Sequence, residues 1–362
     1  MARRPAHLLA VFLVAVLVTA CGSQAPAATQ TSPTAALSAR PSPAGSHAAL
    51  EPQATETHTG GLTKVTLALG YIPTVQFAPF YVAAQRGFYR EEGLDVEFQH
   101  GIVTDLLQQV GAGKLTYAVA SGDEMLVARS QGVPLVYAGA YFQKYPVVLI
   151  TPRNAHITSV RKIRGKTVGV PGPYGATYTG LKALLLSAGL TEQDVTTKFI
   201  NFTQVQALQR GQVDAAMGYA NNEPLQLERL GVPVDTIGVW ENTNLVSNGI
   251  ITNETNLSTH REQVGALVRA TMRGLDAAIA DPEGALRASL KYVPEAASQR
   301  ELQLDVIRAS IPLWQSAASK QHGTGYSDPA AWTATLQFLR RSGAITKDVD
   351  LSGVYTNEFV ER

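Results

Sequence analysis

Aromatic and amide side chains recur in this sequence at positions where a strand is predicted to end. Tyrosine, phenylalanine and tryptophan present flat apolar faces, while asparagine and glutamine supply hydrogen-bond donors and acceptors. Together they suit a flat, neutral or weakly basic ring system held in a cleft. The candidate ligand-binding residues are Tyr71, Gln76, Phe77, Ser121, Asp123, Tyr141, Phe142, Gly172, Tyr174, Gly175, Thr177, Tyr219, Asn221, Asn222, Glu223, Trp240 and Asn244.

The same loops supply carboxylates but no arginine. Receptors for sulfonate, nitrate or phosphate usually recognise the anion with arginine or with a dense cluster of backbone N–H groups. We therefore expect an uncharged or weakly basic ligand ahead of a small anion.

Two strand-to-helix loops could also hold a ligand through their backbone. Residues 170–177, Val-Pro-Gly-Pro-Tyr-Gly-Ala-Thr, contain two glycines that allow close approach. This loop lacks the Lys-Ser/Thr ending of a phosphate loop, and so do residues 111–115, Gly-Ala-Gly-Lys-Leu. Neither loop predicts nucleotide hydrolysis. Residues 121–124, Ser-Gly-Asp-Glu, open a helix either as a plain cap or with free N–H groups for a ligand.

Patterns typical of catalysis and metal binding do not occur. The seven histidines are scattered, and none forms a His-Glu-x-x-His motif. Cys21 is the only cysteine, so the mature domain can form no disulfide, thiolate metal site or cysteine nucleophile. The formal net charge of +1, without a long basic run, argues against a nucleic-acid partner. We expect a binding protein with no catalytic residue, metal or cofactor.

The elements that must position these loops alternate between strand and helix from Lys64 onward. Predicted strands cover residues 65–69, 94–98, 117–120, 135–140, 166–170, 213–219 and 249–252. Helices are predicted between them, and this βαβα order indicates an α/β fold with mainly parallel strands.

Extended segments near residues 147–151 and 240–250 join the two α/β blocks. They predict two lobes with a cleft between them, lobe 1 over residues 64–150 and 246–362 and lobe 2 over residues 151–245. Loops at the carboxyl ends of parallel strands should form the binding crevice.

The N-terminus has the order of a secretory signal. Arg3 and Arg4 precede an apolar run over residues 8–18, which ends in the small residues of Val18-Thr-Ala-Cys21. Val18-Thr-Ala-Cys21 resembles a bacterial lipobox, although Val18 stands where leucine is preferred. We expect a signal peptide over residues 1–20 and a lipid on Cys21; an ordinary signal with an incidental cysteine is the alternative.

Residues 21–63 are rich in Ala, Ser, Thr, Pro and Gln and contain almost no large apolar side chains. Such a segment buries too little surface to offset its ordering entropy. It is predicted to be a tether that holds the folded domain to the extracytoplasmic face of the cell membrane through the lipid.

Several stretches resemble a known family. Residues 71–98 (Tyr-Ile-Pro-Thr-Val-Gln-Phe-Ala-Pro-Phe-Tyr onward), 120–123, 163–169 and 211–216 are similar to solute-binding proteins of the nitrate/sulfonate/taurine and thiamin-pyrimidine-precursor group. The resemblance implies a two-lobed type II periplasmic-binding-protein fold that delivers its ligand to an ABC permease and its ATPase. Related enzymes make the thiamin pyrimidine with a cysteine-rich segment and a reactive histidine. The lack of cysteine in the mature chain disfavours that activity.

Within this group we expect riboflavin first, a thiamin pyrimidine precursor second and a small oxyanion third. An isoalloxazine ring could stack between aromatic walls, and its uracil-like edge matches amides such as Gln76, Asn221 and Asn222. The hydroxyls of its ribityl chain would find partners in Ser121, Asp123 and Glu223. A basic aminopyrimidine would instead rely on Glu223 alone.

Lipidation at Cys21 gives the first prediction. Palmitate label should be incorporated into the protein in its natural host and should disappear in Cys21→Ala, because the thiol is the acceptor. Ser23→Ala, which leaves Cys21 in place, should retain the label. Label retained in Cys21→Ala would contradict the assignment.

Overall fold

The computed structural model describes residues 61–360. Cys21, the predicted signal peptide and nearly all of the predicted tether lie outside the described residues. The end of the predicted tether is part of the folded domain, because Thr63 begins the first strand and donates its N–H to the Gly93 carbonyl at 2.9 Å.

Ten strands form two five-stranded sheets within the described residues. Their bounds are β1 (Thr63–Leu69), β2 (Leu94–His100), β3 (Tyr117–Ser121), β4 (Leu135–Ala140), β5 (Val147–Pro152), β6 (Thr167–Val170), β7 (Thr196–Phe199), β8 (Ala215–Tyr219), β9 (Val234–Gly238) and β10 (Asn248–Asn253).

The two sheets repeat one arrangement. The first has the order β2-β1-β3-β10-β4 and the second the order β7-β6-β8-β5-β9. In each, one strand runs antiparallel to both of its neighbours: β10 in the first and β5 in the second. The predicted α/β class is confirmed, but each sheet is mixed. In each sheet, the antiparallel strand is the one whose preceding strand in sequence lies in the other sheet: β10 follows β9, and β5 follows β4.

Helices cover both sheets. Within residues 61–360 they are α1 (Ala78–Gln85), α2 (Phe88–Glu91), α3 (Val103–Gly111), α4 (Gly122–Ser130), α5 (Gly175–Ser187), α6 (Gln204–Gln209), α7 (Glu223–Arg229), α8 (Glu254–Thr259), α9 (Arg261–Ala280), α10 (Pro282–Ser289), α11 (Arg300–Trp314), α12 (Ala317–His322) and α13 (Pro329–Arg341). Helices α4 and α5 begin at Gly122 and Gly175, so each of these two loop glycines is the first residue of its helix.

The segment 147–151 was predicted to be a connection leaving lobe 1, and this was wrong. It forms β5, a central strand of the second sheet, in which Val147 to Ile150 are completely buried. A continuous apolar run is typical of a strand covered on both faces, so it lacks the alternation of a half-exposed strand. The crossing from the first sheet to the second therefore lies at residues 141–146.

The carboxyl-terminal helices complete the core around the first sheet. Trp314 on α11 and Trp332 on α13 are both buried. The Trp332 indole N–H donates to Ser327 Oγ at 2.8 Å, and its ring stacks on Tyr355 with centroids 5.2 Å apart. No helix in this described part of the chain is long and apolar enough to cross a membrane.

The return strand β10 generates a stability prediction. A Cβ on Gly249 would collide with the ring of Tyr137, whose hydroxyl donates to the Ser247 carbonyl at 3.1 Å. Gly249→Ala should lower the free energy of unfolding by about 1–3 kcal/mol, because overpacking forces strained side chains. Gly61→Ala, where no atom lies within 4 Å of the Cβ position, should change it by less than about 0.5 kcal/mol. Equal urea midpoints for the two variants would contradict the proposed collision.

Candidate ligand-binding cleft

A cavity of about 320 Å³ lies between the two sheets, at the carboxyl ends of their parallel strands. The first sheet contributes the loops after β1, β2 and β4, and the second contributes the loops after β6, β7 and β8. This is the edge of the sheets at which the sequence predicted the crevice.

Eleven of the seventeen candidate residues line this cavity, and they come from both sheets. They are Tyr71, Gln76, Phe77, Tyr141, Phe142, Tyr174, Gly175, Thr177, Tyr219, Asn222 and Glu223. The rule that binding residues lie at strand ends therefore identified residues of one cavity that are more than 140 positions apart in sequence.

Three of the other six candidates have structural partners. Ser121 forms a capping box with Glu124, whose Oε2 accepts the Ser121 N–H at 3.2 Å and its hydroxyl at 2.6 Å. Asp123 is buried behind the cavity wall, with Oδ1 3.1 Å from the Tyr145 hydroxyl. Gly172 leaves room for the Tyr174 ring, which would meet a Cβ at that position.

Asn221 holds the two sheets together rather than lining the cavity. Its Oδ1 accepts a hydrogen bond from Gln76 Nε2 at 3.0 Å, and its Nδ2 donates to Ser310 Oγ at 2.6 Å. All three side chains are buried. Trp240 and Asn244, on the return crossing, also lie outside the cavity lining, and Asn244 is exposed.

Several lining residues were missed by sequence reasoning. The principal ones are Ile72, His100, Ile102, Thr104, Glu124, Phe202, Gln204 and Asn248. Phe202 follows β7, whose sequence Thr-Thr-Lys-Phe has no alternating apolar pattern because it is an exposed edge strand. Glu124 was considered only as part of a helix start. For His100 the available signal was its place at the end of β2, the same rule that found the other residues.

Aromatic rings form much of the cavity wall. Tyr71 meets Phe202 across the cleft in an edge-to-face contact with centroids 5.2 Å apart. Phe142 and Tyr219, also from opposite sheets, have centroids 6.4 Å apart. Burial raises the pKa of Tyr219 well above the usual value for tyrosine, so its hydroxyl stays protonated and can donate a hydrogen bond.

His100 has both ring nitrogens engaged. Nδ1 lies 2.9 Å from the Tyr71 carbonyl and Nε2 lies 3.3 Å from the Tyr81 hydroxyl. Burial lowers the pKa of His100, although the hydrogen bond to the carbonyl opposes that change. A neutral ring that donates through Nδ1 and accepts through Nε2 fits both contacts, and it leaves no free nitrogen for proton abstraction.

Two carboxylic acid side chains, Glu124 and Glu223, line the cavity. Glu223 Oε2 accepts the Tyr219 N–H at 2.8 Å, and burial raises the pKa of Glu223. Burial, followed by the charge of neighbouring Asp123, raises the pKa of Glu124 to about 7. Burial also raises the pKa of Asp123, whose Oδ2 has no hydrogen-bond partner within residues 61–360.

None of the cavity-lining residues in the described structure is lysine or arginine. No group of three or more His, Cys, Asp or Glu side chains in residues 61–360 is arranged to hold a metal ion. The arrangement can enclose a flat ring between aromatic side chains and hydrogen-bond its edge through amides, hydroxyls and carboxyls. It provides no compensating cation for an anionic ligand.

The sequence is similar to a known family and to proteins named for small-molecule ligands or substrates. The family model described as NMT1/THI5 like matches residues 74–285. Riboflavin-binding protein RibY of Chloroflexus aurantiacus is 38% identical over 352 residues, 96% of this chain and 95% of that protein. The 4-amino-5-hydroxymethyl-2-methylpyrimidine phosphate synthase of Uromyces fabae is 24% identical over 316 residues, 82% of this chain and 88% of that protein.

Among solved structures, the periplasmic aliphatic sulphonate binding protein SsuA from Escherichia coli matches with a TM-score of 0.62 and 14% identity, covering 80% of this chain and 91% of that one. Identity this low supports only a shared fold, the two-lobed fold of periplasmic binding proteins. A family model that matches more than half of the chain, together with a relative similar along nearly the whole of it, shows that the chain belongs to the NMT1/THI5-like family.

Proposed function

We propose that this protein is the extracytoplasmic solute-binding lipoprotein of an ABC importer and that its ligand is riboflavin. The observation that carries the proposal is an aromatic, cation-free cleft between two sheets, in a chain 38% identical to a riboflavin-binding protein along nearly its whole length.

The volume and lining of the cleft support a flavin as ligand. Its volume of about 320 Å³ lies at the lower end of the range for small-molecule sites, and such sites enlarge when lobes open. Tyr71, Phe142 and Tyr174 could stack on the isoalloxazine ring, and Gln76 and Asn222 could pair with its polar edge. Ser121 and Asp123 lie off the cavity wall, so the ribityl hydroxyls are assigned to Thr177, Glu124 and Glu223.

Two lobes that follow the two sheets would close on the ligand. Among the strands of residues 61–360, the chain crosses between the sheets at residues 141–146 and 239–247, and these two crossings would act as the hinge. Because the cavity takes residues from both sides, bound ligand would favour the closed arrangement over an open one.

Lipid on Cys21 and the tether over residues 21–63 would hold the domain at the outer face of the cell membrane. Closed, loaded protein would then meet the permease of the importer, with its ATPase on the other side. Support for this part comes from the sequence and the family, since residues 1–60 lie outside the described structure.

A thiamin pyrimidine precursor is the second candidate ligand. Glu223 is a buried carboxyl on the cavity wall that could pair with a basic aminopyrimidine, and a pyrimidine phosphate synthase is among the relatives. A small oxyanion has the weakest support because the lining lacks lysine and arginine. We propose binding without turnover for either ligand, so mass spectrometry of an incubated mixture should recover the ligand unchanged.

Riboflavin fluorescence tests the ligand directly. Flavin held between aromatic rings should lose most of its emission when titrated with ligand-free protein. Tyr174→Ala, which removes a half-exposed ring from the cavity wall, should weaken binding about 2- to 12-fold, as expected for one aromatic pair.

Phe199→Ala is the matched control for this titration. Phe199 is also an exposed aromatic residue of the second sheet, but it does not line the cavity, so its removal should leave the affinity unchanged. Unquenched flavin emission at micromolar protein, alongside measurable pyrimidine binding, would favour the second candidate ligand.

A further inference from the structure

The cleft contains a feature that would normally attract anions. Helix α5 begins at Gly175, its N-cap residue Tyr174 provides no side-chain cap, and Gly175, Ala176 and Thr177 all line the cavity. The first N–H groups of a helix lack intrahelical partners and carry partial positive charge. Such a helix start is a common site for phosphate, sulfonate or carboxylate groups.

Glu124, from the opposite sheet's helix α4, already faces this helix start. Its Oε1 lies 3.8 Å from the position that a Cβ would occupy on Gly175. Its Oε2 is held by the Ser121 N–H and hydroxyl, which fixes the direction of the carboxyl group. Among residues 61–360, only Ser121 forms hydrogen bonds with the Glu124 carboxyl group, so Glu124 places its carboxyl beside this helix start without capping it.

The groups that interact electrostatically with Glu124 are acidic or phenolic, and burial, followed by the charge of Asp123, raises the pKa of Glu124, so the carboxylate forms fully only above neutral pH. Asp123 is adjacent on α4, Tyr145 lies on the crossing between the sheets, and Tyr219 ends β8; the carboxyl charge acts on both tyrosines. Glu223 lines the same cavity, and no lysine or arginine in the described residues does so. An anion entering the cleft would meet like charges at short range without a compensating cation.

We propose that Glu124 is the charge-selectivity residue of this cleft: its carboxyl group lies beside the start of α5 on the cavity wall, so that the cleft accepts neutral ligands and rejects their phosphate esters. This inference rests on the proposed binding function and specifies the ligand class, a dephosphorylated heterocycle. The raised pKa of Glu124, about 7, means that its full charge is present only above neutral pH, so selectivity is measured at pH 8.

The test compares riboflavin with riboflavin 5′-phosphate at pH 8, where the phosphate is doubly charged. Wild-type protein should prefer riboflavin by on the order of 100-fold, and Glu124→Gln should reduce that preference by on the order of 10-fold or more, mainly by tightening phosphate-ester binding. Glutamine retains an oxygen that can accept both Ser121 hydrogen bonds, so the helix cap is preserved.

Two control variants separate charge from structure. Glu97→Gln removes one exposed carboxylate on the edge strand β2, and the preference should stay at its wild-type value. Glu124→Asp keeps the charge and should keep most of the preference. Equal loss in Glu124→Asp and Glu124→Gln, or an unchanged preference in Glu124→Gln, would overturn the proposal.

A second ligand pair distinguishes failure of this inference from failure of the riboflavin assignment. If wild-type protein binds both flavins equally, the riboflavin assignment stands and the selectivity proposal is wrong. If it binds neither flavin, the assignment fails, and the same ratio is measured with 4-amino-5-hydroxymethyl-2-methylpyrimidine and its phosphate. Preference for the neutral pyrimidine, reduced in Glu124→Gln, supports the proposal; preference for the phosphate, or binding of neither compound by folded protein, overturns it.

Discussion

The double crossing between the two sheets determines the position of everything else in the cleft. The chain leaves β4, enters β5, and later returns from β9 to β10. Each crossing strand is inserted antiparallel among strands of the other sheet. Backbone bonds hold the crossings in place: the N–H groups of Tyr141 and Phe142 both lie 2.9 Å from the Asn248 carbonyl, and the Ala220 N–H lies 2.9 Å from the Pro146 carbonyl. The loops that line the cavity are attached to this frame.

The frame also explains why Asn221, a strand-end candidate, contacts other parts of the fold and does not line the cavity. Gln76, Asn221 and Ser310 are buried and bond to one another across the two sheets. Leaving a buried amide without its hydrogen-bond partner costs about 1–3 kcal/mol of stability. These hydrogen bonds therefore favour one relative position of the three side chains. Opening the cleft at this point would require water to replace these bonds. The number and burial of these hydrogen bonds would therefore influence the equilibrium between an open and a closed cleft.

The alternation of strands and helices predicted the α/β class. Strand-end reasoning predicted much of the cavity lining because it depends only on strand direction. Strand-end reasoning wrongly selects a side chain that bonds to a neighbour in sequence, as Ser121 bonds to Glu124. It also fails where a strand is invisible in the sequence. Strand β5 was taken for a connection since it is apolar on both faces, and β7 was missed since it is exposed and polar; Phe202, which follows β7, was missed with it. Long-range contacts such as the one between Asn221 and Ser310 leave no sequence pattern at all.

A shared fold leaves the charge of the ligand undetermined. The chain has the fold of a sulphonate-binding protein at 14% identity, and a helix start facing the cleft is compatible with an anion. Electrostatic interactions strengthen in an enclosed, poorly hydrated space, so one fixed carboxylate near that helix start can reverse the sign of the local potential. Glu124 lies on helix α4 beside the first sheet and faces helix α5 beside the second, so the potential at this point depends on residues from both sheets. Selection by charge, as proposed, would therefore require that both sheets enclose the ligand.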